Sequence, residues 1–186
     1  GIPHLTPSLF SIHYDSDNVS MLPSIINTLI MIGVALLIAV PVGVFSAVYL
    51  TEYAKKGNKL VKIIRTTAET LTGIPSIVYG LFGMLFFTKT LKMGYSMMSG
   101  ACTLAIMILP LIMRTAEEAL KSVPDSYREA SFGLGAGKLR TIFKIVLPSA
   151  VPGILSGVIL ATGRVVGETA ALLFTAGTIA KVAGLM

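Results

Sequence analysis

Residues 129–148 read EASFGLGAGKLRTIFKIVLP and form the longest polar interruption with clear structural signals in an otherwise apolar chain. Three glycines at alternating positions, Gly133, Gly135 and Gly137, permit a sharp turn, because glycine accepts backbone conformations that other residues avoid. Long apolar runs lie on both sides of this stretch. The pattern therefore predicts a turn between two short helices that connects hydrophobic segments.

Helix signals flank the glycine turn. Ser122 is expected to cap the first helix, with Pro124 in its first turn, and this helix is expected to end near Phe132. Residues 138–146 predict the second helix, which Pro148 is expected to stop because proline lacks a backbone N–H. Together they form a short helical hairpin.

The composition places the chain in a membrane. Of its 186 residues, 54% are apolar and 13% are charged, and the mean hydropathy is +0.82. A soluble domain carries about 25% charged residues, so this chain cannot cover a water-exposed surface of ordinary size. The net charge of +6 lies mostly between apolar runs, which argues against nucleic acid as a partner. The single cysteine, Cys102, excludes a disulfide framework within the chain.

Four apolar segments predict an all-α integral membrane protein with at least four transmembrane helices, since about 20 residues cross a bilayer core. These segments are residues 22–50, 70–88, 97–113 and 148–176. Pro41 is expected to kink the first segment. The sequence Gly-Ile-Pro-Ser at 73–76 is expected to break the second, which is tolerated where backbone faces protein or a water-filled cavity.

Positive charge predicts the topology, because Lys and Arg concentrate in cytoplasmic loops. Residues 51–67 hold five such residues and residues 114–147 hold six, whereas the loop between the second and third segments holds two. We therefore expect residues 1–20 to form an extracytoplasmic linker. Residues 21–186 would form the membrane domain, with a cytoplasmic loop at about 114–147.

Two charged residues, Arg164 and Glu168, lie inside the fourth apolar segment. Such charges cost at least about 2.5–3.5 kcal/mol each on insertion scales and mark a pathway or an internal pair. Their i, i+4 spacing predicts that both lie on one helical face, with Arg164 roughly 18–24 Å from the inner surface. One interpretation is a neutralising salt bridge between helices; the other is a polar point on a solute path, where arginine grips an oxyanion. Arg114, after Pro110, is a further candidate for this path.

Small residues recur every four positions in the same segment, at Ser149, Gly153, Gly157 and Ala161. In lipid, helices associate through close backbone packing at such positions. The pattern predicts a packing face inside a bundle or at a subunit interface.

The sequence contains no pattern typical of an enzyme. The glycines at 133–137 precede Lys138, but a phosphate-binding P-loop needs GxxxxGK followed by Ser or Thr. Here position 132 is Phe and Leu139 follows the lysine. We therefore expect no nucleotide site and no cofactor in this chain.

The spacing of the opening stretch resembles the EAA loop of ATP-binding-cassette importer permeases. The matching positions are Glu129, Ala130, Gly135, Ile145, Leu147 and Pro148, with Ser131 where alanine is usual. Three further stretches resemble phosphate-specific permeases of the PstA type. They are TLTGIPSIVYGLF at 70–82, LPLIMRT at 109–115 and GRVVGETA at 163–170. The resemblance covers about residues 22–178.

This resemblance implies a type I (MetI-like) helical bundle of six helices per subunit, of which this chain, starting at Gly1, would be a fragment. It implies a multi-pass subunit of a prokaryotic inner membrane that forms half of a phosphate path. The implied partners are a PstC-like permease, two PstB-like ATPase subunits that bind ATP and magnesium, and an extracytoplasmic PstS-like phosphate-binding protein. The EAA loop would dock in a groove of the ATPase and couple its closure to the spans.

Other functions stay open at this point. Within the same class, the chain could be the PstC-type partner or a permease for sulfate, molybdate or phosphonate. A secondary carrier or channel subunit is an alternative from another class, although such carriers often show inverted repeats and none is evident here. A third alternative is a non-transporting membrane scaffold in which the charged pair is purely structural.

Overall fold

The computed structural model describes residues 22–54 and 57–176, and within these ranges the chain is helical with no strand. The all-α prediction is confirmed for this part of the chain. The predicted extracytoplasmic linker, residues 1–20, lies outside the described residues.

The first helix, α1, spans Leu22–Val48 and continues through Pro41 without interruption. It passes directly into a π-helical segment, Tyr49–Tyr53. A π turn admits one extra residue per hydrogen-bonded ring and is frequent at functional sites. The kink at Pro41 stays a prediction.

The second predicted span is divided as the Gly-Ile-Pro-Ser sequence indicated. Helix α2 spans Lys59–Thr72, with the Asn58 side chain accepting a hydrogen bond from the Leu60 N–H at 3.0 Å. Helix α3 begins after Pro75, spans Ser76–Gly83, and leads into a second π-helical segment, Met84–Thr90. The helix that leads to this span begins at Lys59, eleven residues before Thr70. The start of the span at about residue 70 stays a prediction.

Helix α4 spans Met97–Ser122 and is longer than expected. The helix continues past Arg114 because the residues that follow include strong helix formers. The cytoplasmic loop boundary at about residue 114 stays a prediction. Ser122 does not cap a following helix; its hydroxyl donates to the Ala119 carbonyl in the last turn of α4. Pro124 limits α4 because the residue before proline avoids helical conformation.

The remaining helices follow in close succession. Helix α5 spans Asp125–Gly133, with Pro124 at its N-cap, and α6 spans Lys138–Thr141. A third π-helical segment, Ile142–Val146, joins α6 to α7, which spans Leu147–Val166. Helix α8 spans Ala170–Thr175.

Pro148 does not stop the helix that precedes it, so that prediction is wrong. In the π-helical segment, the Leu147 N–H donates to the Ile142 carbonyl. This bond shifts the hydrogen-bond register of the helix immediately before the proline. Pro148 has no N–H to donate, and it follows directly after this π-helical segment, where the α-helical hydrogen-bond pattern is already interrupted. Residues 138–166 therefore form one continuous helical rod.

Three helical stretches are long and apolar enough to cross a membrane: Ile25–Tyr53, Met97–Ser122 and Lys138–Val166. The pair Lys59–Thr72 and Ser76–Thr90 would supply a fourth crossing only as a bent pair. The described residues thus provide three continuous candidate spans, or four when the broken pair is counted as one.

One compact unit comprises the described parts of Gly1–Ala35, Pro75–Leu104 and Val166–Met186. Its helix α3 packs against α8. Gly83 makes this packing possible, because an added Cβ would lie 2.8 Å from the Cγ2 atoms of both Thr103 and Thr175. Leu104 is fully buried in the same unit.

A second compact unit comprises the described parts of Leu36–Ile74 and Ala105–Val165. Its core contains the fully buried side chains of Leu120, Ile142 and Val146. These residues come from α4 and from the third π-helical segment, so the predicted cytoplasmic hairpin shares a core with the adjoining helices.

Candidate functional site

The stretch that opened the sequence forms a compact helical hairpin made of α5, a turn at residues 134–137, and α6. Helix α5 ends in a Schellman motif: the Gly135 N–H donates to the Phe132 carbonyl at 2.9 Å, and the Ala136 N–H donates to the Ser131 carbonyl at 3.0 Å. This motif needs a left-handed residue at Gly135, whose φ is 81°. The glycine of the EAA-like spacing is therefore the residue that reverses the chain.

A buried hydroxyl pair holds the two helices of the hairpin together. The Ser131 and Thr141 hydroxyls are 2.8 Å apart, and the two residues are only 3% and 1% exposed. Thr141 also donates to the Gly137 carbonyl at 3.2 Å. Serine in place of the usual alanine thus adds a polar contact across the hairpin.

The hairpin carries a cleft of about 510 Å³ on one side. It brings together four of the predicted docking residues: Ala130, Ser131, Gly135 and Ile145. Arg140 and Lys144 also line the cleft and give it a basic edge.

The other three predicted docking residues lie outside the cleft lining. Glu129 is exposed on α5, and Leu147 and Pro148 form the beginning of α7. They belong to the hairpin and to the rod that leaves it. Their role as docking residues stays a prediction.

Apolar side chains project from the hairpin into solvent. Leu134 at its turn is 89% exposed, Leu139 is 64% exposed and Phe132 is 47% exposed. Clustered exposed apolar residues beside basic ones are typical of a protein interaction surface. The arrangement fits recognition of a partner, because it offers apolar contacts, basic groups and glycine backbone.

Arg128 is a second organising residue of this region that the sequence reasoning missed. Its guanidinium donates to Glu52 Oε1 through Nε at 3.1 Å and Nη2 at 2.7 Å. It also donates to the Val123 and Leu120 carbonyls and to Asp125. Sequence reasoning counted Arg128 only as a positive charge, because its partner Glu52 lies 76 residues earlier in the chain.

A buried carboxylate in α4 was also missed. Glu117 Oε1 lies 2.6 Å from Arg65 Nη2 in α2 and 2.7 Å from Lys121 Nζ. The Glu117 side chain is 8% exposed, and its contacts are charge contacts rather than aligned hydrogen bonds. The i, i+4 spacing of Glu117 and Lys121 was the only available signal.

Arg164 and Glu168 do not share one helical face, so that expectation is wrong. Helix α7 ends at Val166, and Glu168 lies in the break before α8. The Glu168 carboxylate accepts a hydrogen bond from the Ala171 N–H at 3.1 Å. This bond satisfies a free donor in the first turn of α8 and favours a new helix over continuation of α7. The roles of both residues on a solute path stay predictions.

Arg114 lies within α4, which continues to Ser122. Its Nε donates to Glu118 Oε1 at 3.1 Å, and both side chains are more than half exposed. A surface pair of this kind contributes about 0.3–0.5 kcal/mol, so it has little structural value by itself. The role of Arg114 on a solute path stays a prediction.

The stripe of small residues in α7 partly forms the predicted packing face. An added Cβ at Gly153 would lie 2.7 Å from the Ala119 Cβ, and one at Gly157 would lie 2.7 Å from the Thr115 Cβ. Helices α4 and α7 therefore approach closely at both glycines. Ala161 is fully buried, whereas Ser149 is exposed.

The chain is similar to several proteins that are named as transport permeases. The chain is 44% identical over 151 residues to the probable ABC transporter permease protein YqgI of Bacillus subtilis, covering 81% of this chain and 51% of the relative. It is 44% identical over 151 residues to the phosphate transport system permease protein PstA 1 of Mycobacterium tuberculosis H37Rv, covering 81% and 48%. It is 40% identical over 178 residues to PstA of Pasteurella multocida, covering 95% and 63%.

The chain spans about half the length of the first two relatives. Among solved structures, it is similar to an inward-facing form of the MetNI methionine ABC transporter, with a TM-score of 0.63 and 23% sequence identity. That match covers 79% of this chain and 68% of the other, and it shows a shared fold.

A family model described as the binding-protein-dependent transport system inner membrane component matches residues 39–184. The match includes the hairpin, the rod that leaves it and the residues Arg114, Arg164 and Glu168. The predicted MetI-like permease fold and the EAA-loop resemblance agree with this result. The chain therefore belongs to the family of binding-protein-dependent transport system inner membrane components.

Proposed function

We propose that this chain is the permease part of an ATP-driven importer of inorganic phosphate. The observation that supports this proposal most strongly is the 40–44% identity of the chain to relatives named phosphate transport system permease protein PstA. The same observation favours a PstA-type role over a PstC-type role. Family membership supports assembly with a second permease subunit, two ATPase subunits and an extracytoplasmic binding protein, all in a prokaryotic inner membrane. ATP and magnesium would be bound by the ATPase, and this chain would hold no cofactor.

In this proposal the hairpin α5–α6 is the surface that meets the ATPase. Support comes from its exposed apolar residues Leu134, Leu139 and Phe132, from the adjacent basic cleft, and from its continuous helical connection to α7. A movement of the hairpin would be transmitted along the rod Lys138–Val166 because no break interrupts it. The ATPase would thereby drive a membrane span directly.

Arg164, with Arg114 and Glu168, is proposed to lie on the phosphate path. A guanidinium in a low-dielectric environment binds a phosphate oxyanion through paired charge-assisted hydrogen bonds. Arg164 is only partly exposed and lies two residues before the end of α7, where the helical backbone is interrupted. Irregular backbone within a membrane is tolerated where it lines protein or a water-filled cavity.

Docking of the ATPase is tested by replacing one exposed leucine. Leu134→Ser removes an apolar side chain that is 89% exposed, so the fold should be unaffected while ATPase capture in a pull-down of the detergent-solubilised complex falls. Leu60→Ser, on α2 and 67% exposed, is the matched control and should retain the ATPase. Equal capture by both variants would remove the hairpin as the docking surface.

The substrate is tested by transport in proteoliposomes that contain the complete complex. Wild-type complex should accumulate labelled phosphate with ATP, and excess sulfate or molybdate should not compete. ATP-dependent uptake of labelled sulfate or molybdate, with no uptake of labelled phosphate, would assign another oxyanion.

A further inference from the structure

We propose that Arg128 and Glu52 form a joint through which the hairpin α5–α6 controls the end of α1, with Arg128 as its positioning residue. The inference rests on the proposed function only in one respect, that the hairpin transmits movement of the ATPase. The joint itself is a structural feature of the unit that contains both residues.

Every nitrogen of the Arg128 guanidinium is engaged. Nε and Nη2 both donate to Glu52 Oε1, at 3.1 and 2.7 Å. Nη1 donates to the Val123 carbonyl at 2.9 Å and to Asp125 at 3.1 Å, and Nη2 also donates to the Leu120 carbonyl at 3.1 Å. The rigid, planar arginine fork holds such partners in a fixed orientation. One side chain therefore fixes α5 against the last turn of α4 and against Glu52.

Burial distinguishes this contact from an ordinary surface ion pair. The Arg128 and Glu52 side chains are 15% and 9% exposed, whereas the Arg114–Glu118 pair is more than half exposed. Screening by water and salt is weaker for buried pairs. Loss of one partner leaves the other charge poorly solvated, so the pair is a strong constraint on the two segments that it joins.

Glu52 lies in the π-helical segment Tyr49–Tyr53 at the end of α1. The next residue, Tyr53, lies under Lys138 of α6, with Nζ 4.8 Å from the ring centroid. Both helices of the hairpin thus contact this one π-helical segment. Such segments have less regular hydrogen bonding than an α-helix and frequently occur at functional sites.

These contacts give the hairpin two routes to the candidate spans. The first is covalent and runs from α6 into α7; the second is non-covalent and runs through Arg128 and Glu52 into α1. If the first route sufficed, loss of the joint would leave coupling unchanged. We infer instead that a displaced hairpin moves the ends of both helices together, so loss of the joint separates ATP hydrolysis from transport.

The test compares Arg128→Gln, Glu52→Gln and the double variant in the complete complex. Glu52→Gln is the milder change, because Arg128 keeps its other acceptors and α5 keeps its fold. We expect normal ATPase capture and normal hydrolysis, with phosphate transported per ATP reduced on the order of tenfold. The double variant should be no worse than the more affected single variant. Arg65→Gln, which breaks the separate Arg65–Glu117 pair, is the matched control and should retain coupling.

A second measurement separates failure of the joint from failure of the proposed function. Amide hydrogen exchange in the same variants should become faster in both α5 and residues 49–53, whatever the complex transports. Unchanged exchange in either segment would overturn the joint. Faster exchange with an unchanged transport-to-ATP ratio would overturn its role in coupling. If the wild-type complex transports no phosphate, the proposed function fails, and the exchange result still decides whether the joint exists.

Discussion

Removing either hydroxyl of the Ser131–Thr141 pair should destabilise the hairpin, and the two losses of stability should differ. Thr141→Val leaves the buried Ser131 hydroxyl without its partner, and an unsatisfied buried polar group costs about 1–3 kcal/mol. Ser131→Ala costs less, about 0.5–1.5 kcal/mol, because Thr141 keeps its bond to the Gly137 carbonyl at 3.2 Å. The double variant should cost less than the sum of the two, since removal of both partners leaves neither hydroxyl unsatisfied.

Amide hydrogen exchange of α5 and α6 measures these differences directly, because it reports the free energy of local opening. A loss of about 1.4 kcal/mol accelerates exchange about tenfold. Thr141→Val should therefore accelerate exchange more than Ser131→Ala, while the exposed control Ser126→Ala should match wild type. Equal effects of the two single variants, or strict additivity in the double variant, would refute the reasoning.

Three further predictions concern the packing and the turn. Gly157→Ala should lower the thermal midpoint of the detergent-solubilised complex, because overpacking costs about 1–3 kcal/mol. Gly163→Ala should leave the midpoint unchanged, because no atom lies within 4 Å of the added Cβ. Equal midpoints for the two variants would contradict the close approach of α4 and α7. Gly135→Ala should destabilise the hairpin by roughly 1–2 kcal/mol, because the φ of residue 135 is positive. Gly133→Ala should leave the hairpin stable. The rate of proteolysis at the turn measures the difference. Glu117→Gln should lower the stability of the second compact unit by about 1 kcal/mol, a small loss because both cationic partners are substantially exposed. A loss of stability that does not shrink in high salt would argue against the ion pairs.

Local signals in the sequence predicted the hairpin well. Glycine at 135 and helix formers on either side indicated a reversal between short helices, and the structure adds that Gly135 closes a Schellman motif. The break before Ser76 followed from Pro75 for the same kind of local reason. These features depend on backbone preferences of a few neighbouring residues, which a sequence displays directly.

Helix boundaries and contacts between distant residues were harder to predict from the sequence. The third apolar run ends near Arg114, where charged residues begin, but helix propensity extends α4 to Ser122. The i, i+4 spacing of Arg164 and Glu168 places both on one face only if the helix is continuous, and α7 ends at Val166. The Arg128–Glu52 contact required the tertiary fold, since no local pattern links residues 76 positions apart.

In the proposed function, Arg164 binds phosphate on a path driven by ATP. The most direct measurement is ATP-dependent uptake of labelled phosphate by proteoliposomes that contain the complete complex, comparing wild type, Arg164→Ala and the exposed control Lys89→Ala. Assembly and ATPase capture are verified for each complex. We expect normal uptake by wild type and Lys89→Ala, and loss of uptake by Arg164→Ala. Normal phosphate uptake by an assembled Arg164→Ala complex would contradict this role of Arg164.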